Sequence, residues 1–452
     1  MESLWRKEAE HFSSDLKIED VLSGKKSYEV IVVGAGLAGL LTAYYLKEQG
    51  IRVLVLEAGQ IASGQSERTT AKITSQHGLK YSGLVEDIGV ERARLYAQAN
   101  ETAVREYERL ITDLNIDCEF ERVPAYLYSV EDDKQLIKEA ESARLLGIDA
   151  YFTQETELPF PVKGAVCFRS QAQFSPLKFI AYLASKLEIA EHIKVTAVKG
   201  NRVFTDKGEL SADKIIIATH YPILNIPGFY FLRQHQERSY VLALSGCPKI
   251  EGMYYGVDKA GLSFRQAGDF LLLGGRSHRT GENICGGRYE ELARAARLYF
   301  PECREGARWS AQDCMPHDRI PFIGQYSVFT PDLYVITGFG KWGMTSSMIA
   351  AILLRDEICG VENSYAEVFR PQRFYFKAAY KNLLTDVGMS VKGLAKGWLC
   401  RKKDAPQRCA HMGCELVWNP DEESWDCPCH GSRFDQQGKL LDNPSKRDLH
   451  IK

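Results

Sequence analysis

Apolar and polar positions change their period several times along this chain, and each change marks an element. Val30–Val33 is an unbroken apolar run, which predicts a strand covered on both faces. Leu40 to Lys47 predicts a helix that Gly50 stops, and Arg52–Leu56 predicts a second buried strand ended by Glu57. Residues 89–114 predict a long surface helix. CEFERVPAYLYSV (118–130) predicts two strands, and DDKQLIKEAESARLLG predicts a helix. Between 229 and 300 strand-like runs recur as RSYVLALSG, GMYYGV, GLSFRQ and DFLLLGG. A last strand and helix follow in DLYVITGFGKWGMTSSMIAAILLRDEI.

The turn between the first strand and its helix carries chemistry. Gly34, Gly36 and Gly39 match G-x-G-x-x-G, with strand, helix, second strand and terminal acid all in place. The first glycine permits a tight turn, the second lets backbone approach a pyrophosphate, and the third lets helix and strand pack closely. The helix N-terminus offers free N–H groups to the phosphates, and Glu57 can accept from ribose hydroxyls. Gly338, Gly340 and Gly343 repeat the motif, so NAD(P) is an alternative to FAD. The strand and acid that would complete a second nucleotide unit are missing. A helix N-terminus aimed at a flavin ring is the reading that fits.

Composition narrows the picture. With 57 basic and 59 acidic residues the chain offers no charge excess that would draw nucleic acid. The uncharged run from Val30 to Leu46 is long enough to suggest a short membrane span, but its glycines mark a buried strand, turn and helix. The first twenty residues lack an apolar signal region, and the expectation is a cytoplasmic protein without a transmembrane segment. Eight of the 12 cysteines stand alone, as buried apolar residues do in a cytoplasmic chain. The other four crowd into CAHMGC and CPCH with two histidines. Zinc would suit two Cys and two His. Here, however, each half gives one of each, as C-x-H and C-x-x-H, which is the arrangement of a Rieske centre.

Two resemblances follow. GAGLAGL with Glu57, GQSERTTAK, KIIIATH, RIPFIG and TGFGKWGM resemble the FAD-dependent amino-acid and amine oxidoreductase family of glycine oxidase, sarcosine oxidase and D-amino-acid oxidase. The tail resembles the Rieske proteins of the cytochrome bc family, and the whole resembles bacterial flavoproteins with a fused Rieske domain. The implied fold is α/β (α+β overall): a Rossmann-like FAD-binding domain, an antiparallel-sheet substrate domain roofing the flavin, and a small, shortened, β-rich Rieske domain. The implied division is an N-terminal arm (1–27) and an oxidoreductase body (28–365), with substrate-domain segments at about 115–160 and 229–303. A basic linker (366–400) and the Rieske domain (401–452) follow. By resemblance, Ser66, Arg68, Thr69 and Thr70 lie along the FAD and Val198 contacts its adenine side. Gly338, Gly340, Gly343 and Met344 face the isoalloxazine. Cys409 and Cys427 hold one iron of a 2Fe-2S cluster, His411 and His430 the other, and Cys414–Cys429 form a disulfide.

The pocket is less defined. Arg265 with Tyr254 or Tyr255 is a candidate carboxylate clamp, and an ordinary strand-face arginine is the alternative. His77 falls where the family approaches the flavin. Arg276, His278 and Arg279 read as a solvated turn, and Cys314 reads as a buried cysteine, with covalent attachment to FAD as the alternative. The linker from Arg370 to Arg408 carries ten basic and two acidic residues. Leu384, Val387, Val391, Leu394 and Trp398 recur in it at helical steps. Packing against the flavin domain is the plainer reading, and peripheral membrane contact the other. Only CRKKDAPQR separates Leu399 from Cys409, so the base strands of a Rieske domain are missing, and the cluster lobe must lean on the flavin domain or another subunit.

The expected function is oxidation of a small amine or amino acid, with electrons leaving singly through the cluster to a ferredoxin-like protein or a quinone. The reverse, reductase direction and a non-catalytic redox sensor are the alternatives. Ser432 is positioned to donate to a cluster sulfur, whereas Phe434 replaces a hydroxyl donor found in high-potential relatives. The cluster potential is therefore expected in the middle of the Rieske range of about −150 to +300 mV. Phe434→Tyr should raise it in a redox titration, and no upward shift would contradict this reading.

Overall fold

A computed structural model of the protein describes residues 1–9, 12–14, 16–22, 26–380, 388, 393 and 408–449. The amphipathic positions expected in the linker lie outside these residues. Among the described residues, no helix is long and apolar enough to cross a membrane.

The first strand, Val30–Val33, lies at the heart of a six-stranded sheet. It pairs in parallel with Val53–Leu56 on one side and Lys214–Ile217 on the other. Glu188–Ala190 and Leu333–Thr337 extend the parallel set, and Phe322–Gln325 closes one edge in antiparallel sense. Every residue of Val30–Val33 and Val53–Leu56 is buried, as expected for a sheet covered on both faces. The helix after the glycine turn spans Leu37–Lys47 and packs against the helix Gly343–Ile358. It begins three residues earlier than its apolar pattern suggests, because the glycine turn itself forms the first helical turn.

The second layer is a nine-stranded sheet that roofs the first. Its long members are Gln234–Ser245, Phe270–Arg279 and Arg304–Pro316, all antiparallel. The two strands expected within 118–130 are one, Glu121–Ser129. Pro124 lacks the N–H that a ladder needs, and a register shift between Val123 and Ala125 lets the strand pass it without breaking. The helix expected over 89–114 spans Val90–Asp113, with Ala93, Tyr96, Val104 and Tyr107 among the side chains it turns inward.

The C-terminal lobe has a four-stranded antiparallel sheet of Val417–Asn419, Ser424–Asp426, Arg433–Phe434 and Leu440–Asp442. It rests on the roof sheet. Gly281 and Gly431 mark where the two surfaces meet: a Cβ on the first would lie 2.8 Å from Pro428, and one on the second 2.6 Å from Gln236. Glu422 joins the two parts. Its carboxylate accepts from Arg238 of the roof at 2.7 Å, from Arg433 of the lobe at 3.2 Å and from Ser310 at 2.6 Å. Arg433 also reaches Asp426 at 3.0 Å and Asp442 at 2.9 Å. Burial alone would push the Glu422 carboxyl up. The Arg238 and Arg433 guanidiniums, with hydrogen bonds from Ser310 and Tyr289, outweigh it and hold the group at about 2.

Removing Glu422 leaves Arg433 paired with Asp426 and Asp442 but leaves buried Arg238 with only Asp442, 3.8 Å away. Glu422→Gln should cost roughly 3 kcal/mol of lobe stability, read as lost hydrogen-exchange protection in 409–449. Because the folded pKa is depressed, the contribution is full above the ordinary carboxylate range and is lost as pH falls towards 2. The variant should therefore lose the part of any acid sensitivity of docking that Glu422 contributes, while Asp442 keeps its own. Unchanged protection would contradict this role.

Candidate active site and cluster centre

The glycine turn is shaped by close contacts. Gly34 has φ +112°, and a Cβ there would meet the Ala218 carbonyl oxygen at 2.6 Å. A Cβ on Gly36 would come within 3.1 Å of Ser66 Oγ, which accepts from Leu37 N at 2.9 Å. The Glu57 carboxylate accepts from Ala35 N and Gly59 N, each at 2.8 Å, at the end of its strand. These groups open onto a cavity of about 1240 Å³. Gly34, Gly36, Glu57, Ser66, Arg68, Thr69 and Thr70 line it. Gly338, Gly340, Gly343 and Met344 also line it. A cavity of this volume that combines a phosphate-type glycine turn, an acid at the second strand and a helix N-terminus fits a dinucleotide such as FAD.

Five expected positions fall elsewhere. Gly39 lies behind the turn, where a Cβ would collide with the Gly34 carbonyl, so it serves packing and not contact. Val198, on the strand Val195–Lys199, packs against the core, and Val195 and Thr196 line the cavity in its place. His77 is buried one layer back. It bonds to Tyr96 and Thr74 at 2.8 Å and stacks on Trp342 with ring centres 4.8 Å apart, so it supports a cavity wall without reaching the cavity. Tyr254 faces the opposite side of its strand, stacked on Tyr126 and donating to Glu157 at 3.0 Å. Its neighbour Tyr255 lines the cavity, because strand alternation carries one of the pair inward. Arg265 lies beyond the cavity, with its donors taken by Gln173, the Thr70 carbonyl and the Phe174 carbonyl at 3.0, 2.6 and 2.8 Å. It is not a free clamp.

Sequence reasoning missed Lys72 and Lys341. Lys72 lines the cavity between Tyr255 and Ser263, donating to the Tyr254 carbonyl at 3.2 Å and to Ser263 Oγ. Burial, with the nearby Arg265 charge, pushes its pKa down to about 7. Lys341 differs because Asp313 at 3.1 Å and Glu237 at 3.3 Å neutralise it. They hold it charged in spite of burial. The only sequence signal for Lys72 is a single charge inside a run of hydroxyl and apolar residues.

The lobe gathers the six tail residues. The Cys409 and Cys427 thiols hydrogen-bond to each other, and the His411 and His430 rings stand 5.1 Å apart at 87°. Two loops present them alike: Gly413 N donates to Cys409 O and Gly431 N to Cys427 O, each at 2.9 Å. Three sulfurs, of Cys414, Cys427 and Cys429, also lie within 4.8 Å of one another. Cys414 and Cys429 are joined in a disulfide, which leaves Cys427 as the ligand among them. Burial holds the His411 imidazole neutral, its pKa pushed down to about 4. Its Nδ1 is buried with no hydrogen-bond partner, as a metal-binding nitrogen is. Two adjacent thiols and two adjacent imidazoles fit a Rieske 2Fe-2S cluster. Ser432 Oγ accepts from Ser445 N at 2.9 Å and hydrogen-bonds with Cys409.

The two centres meet across the seam. Leu440, Asp442 and Asn443 of the lobe line the same cavity as the glycine turn. Gln236 donates to His430 O at 2.7 Å and to Asn443 O at 2.9 Å, and Gln312 donates to Gly431 O at 2.8 Å. Arg279 does not lie in a solvated turn. It donates to Pro428 O at 3.0 Å and Cys429 O at 3.1 Å, gripping the cluster loop. His278 bonds to Tyr240 at 3.0 Å, and Arg276 lines the cavity. Cys314 is buried 3.6 Å from His220 Nδ1 and does not line the cavity.

Comparison with known proteins agrees with this geometry. Residues 29–357 match the DAO family of FAD dependent oxidoreductases, and residues 405–451 match the Rieske 2Fe-2S domain. YhfW of Bacillus subtilis (strain 168), described as a Rieske 2Fe-2S iron-sulfur protein, is 32% identical over 97% of this chain and 96% of its own. Sarcosine oxidase subunit beta of Arthrobacter sp. is 25% identical over 75% of this chain and 88% of its own. Glycine oxidase of Geobacillus kaustophilus shares the fold with a TM-score of 0.66 at 19% identity, over 77% of this chain and 99% of that one. The chain belongs to the DAO family of FAD-dependent oxidoreductases and carries a Rieske 2Fe-2S domain at its C-terminal end.

Proposed function

We propose that this oxidoreductase oxidises a small amine or amino acid at its C–N bond and passes the electrons singly, by way of the cluster, to a ferredoxin-like protein or a quinone. One observation carries the reading: the lobe that holds the cluster ligands also forms part of the wall of the FAD cavity. FAD bound there supplies two-electron hydride acceptance and the cluster one-electron carriage. The kinship with a sarcosine oxidase subunit and the fold shared with glycine oxidase support a small amino-bearing substrate.

The chain's own residues prepare the substrate end. Tyr255 and Trp342 meet edge to face with centres 5.4 Å apart and give it aromatic walls. Lys72 lines the cavity with no carboxylate within ion-pair distance among the described residues, and it suits a substrate carboxylate. Lys72 is buried, which strengthens that attraction. The product imine leaves to be hydrolysed by water.

Purified holoprotein mixed anaerobically with a panel of amines and amino acids should show flavin bleaching and the appearance of a Rieske paramagnetic resonance signal with one of them. If no compound reduces the flavin while dithionite reduces both centres, electrons enter from a protein partner and the oxidase-type reading fails. Lys72→Met, at normal flavin content, should raise KM for an amino-acid substrate at least about tenfold and leave that for a neutral amine nearly unchanged. In the wild type, affinity for the carboxylate substrate should fall as pH climbs through about 7 and Lys72 loses its proton. A variant with the wild-type KM and pH profile would remove Lys72 from this role.

A further inference from the structure

We infer that Asn225, a residue of the flavin-binding domain, sets the reduction potential of the cluster in the C-terminal lobe by accepting a hydrogen bond from the outer nitrogen of His411. The inference rests on the cluster and not on the identity of the substrate.

The two nitrogens of His411 have different surroundings. Nδ1 is buried without a partner, whereas Nε2 lies 3.0 Å from Asn225 Oδ1. An imidazole that binds iron through Nδ1 keeps its proton on Nε2, so Nε2 donates and the asparagine oxygen accepts. Asn225 is held for this task. Its carbonyl accepts from Phe229 N at 2.9 Å, and the neighbouring Leu224 carbonyl accepts from the Tyr326 hydroxyl. Phe231, from the same stretch, sets its ring edge-on to His411 and His430, with centres 6.4 and 5.9 Å away.

An acceptor on the far nitrogen makes a ligating imidazole more electron-rich. That favours the oxidised iron and lowers the potential. The contact comes from outside the lobe: the chain reaches Asn225 directly from Thr219 and Ile223, which line the FAD cavity. Thr219 O also accepts from Asn443 of the lobe at 3.4 Å. One short segment thus borders the flavin site at one end and holds a cluster ligand at the other, and the flavin domain tunes a centre it does not itself ligate.

The test is a potentiometric titration of the full-length holoprotein at fixed pH, with chemical mediators and no substrate, followed by paramagnetic resonance. Asn225→Leu removes the acceptor and should shift the cluster potential upward. Asn225→Asp replaces it with a stronger, charged acceptor and should shift it downward. The flavin potential should stay in place in both. A merely structural role would change cluster content without this ordered series. A Leu variant at or below the wild-type potential, or an Asp variant at or above it, overturns the inference. If the Leu variant fails to assemble a cluster, the Asp variant alone decides.

Discussion

Glu422 sits between two buried guanidiniums, one from each part of the molecule, and the arrangement of everything else follows from keeping it paired. Arg238 has no exposed side-chain surface, and Arg433 has almost none. Arg433 also has Asp426 and Asp442, but Arg238 has no other carboxylate closer than 3.8 Å, and an unpaired buried ion costs several kcal/mol. The lobe has little else to hold it. Its buried apolar cluster consists of four cysteines with Leu416, Phe434 and Leu449, which is too small a core to stand unaided. Its missing base is supplied by the outer face of the roof sheet, and the charged bridge fixes where that face and the lobe meet.

From that fixed seam the redox geometry follows. Gln236 and Gln312 are buried amides whose hydrogen bonds are made to main-chain carbonyls of the cluster loop. Amides satisfied in this way have one arrangement, because leaving either donor unmade in a dry interior is costly. The lobe cannot slide without breaking several such bonds at once. The wall that Asn443 contributes to the cavity is therefore tied to the roof through Gln236.

What could be read from sequence was what is encoded by spacing. The glycine turn with Glu57, and the six-residue cluster box, act through backbone and side chains only a few positions apart, so their pattern survives without knowledge of the fold. The carboxylate clamp did not. Choosing Tyr254 over Tyr255 required the phase of a strand, and GMYYGV is apolar on both faces and gives no phase. Arg265 is the kind of residue expected in such a pocket, but Trp5 of the N-terminal arm lies 5.0 Å from its guanidinium and closes off that end. Lys72, Gln236 and Asn225 were illegible for another reason: each acts on a partner far away in the chain, and a single sequence holds no trace of that pairing.

The close approach of Pro428 to Gly281 has a consequence for how the protein is made. The roof strands are synthesised before the lobe, so its resting surface exists when the last residues emerge. Once the lobe has settled there, Cys409, Cys427 and His430 are all but sealed from solvent. A lobe seated so closely puts the cluster ligands between its own loops and a surface that was folded before them.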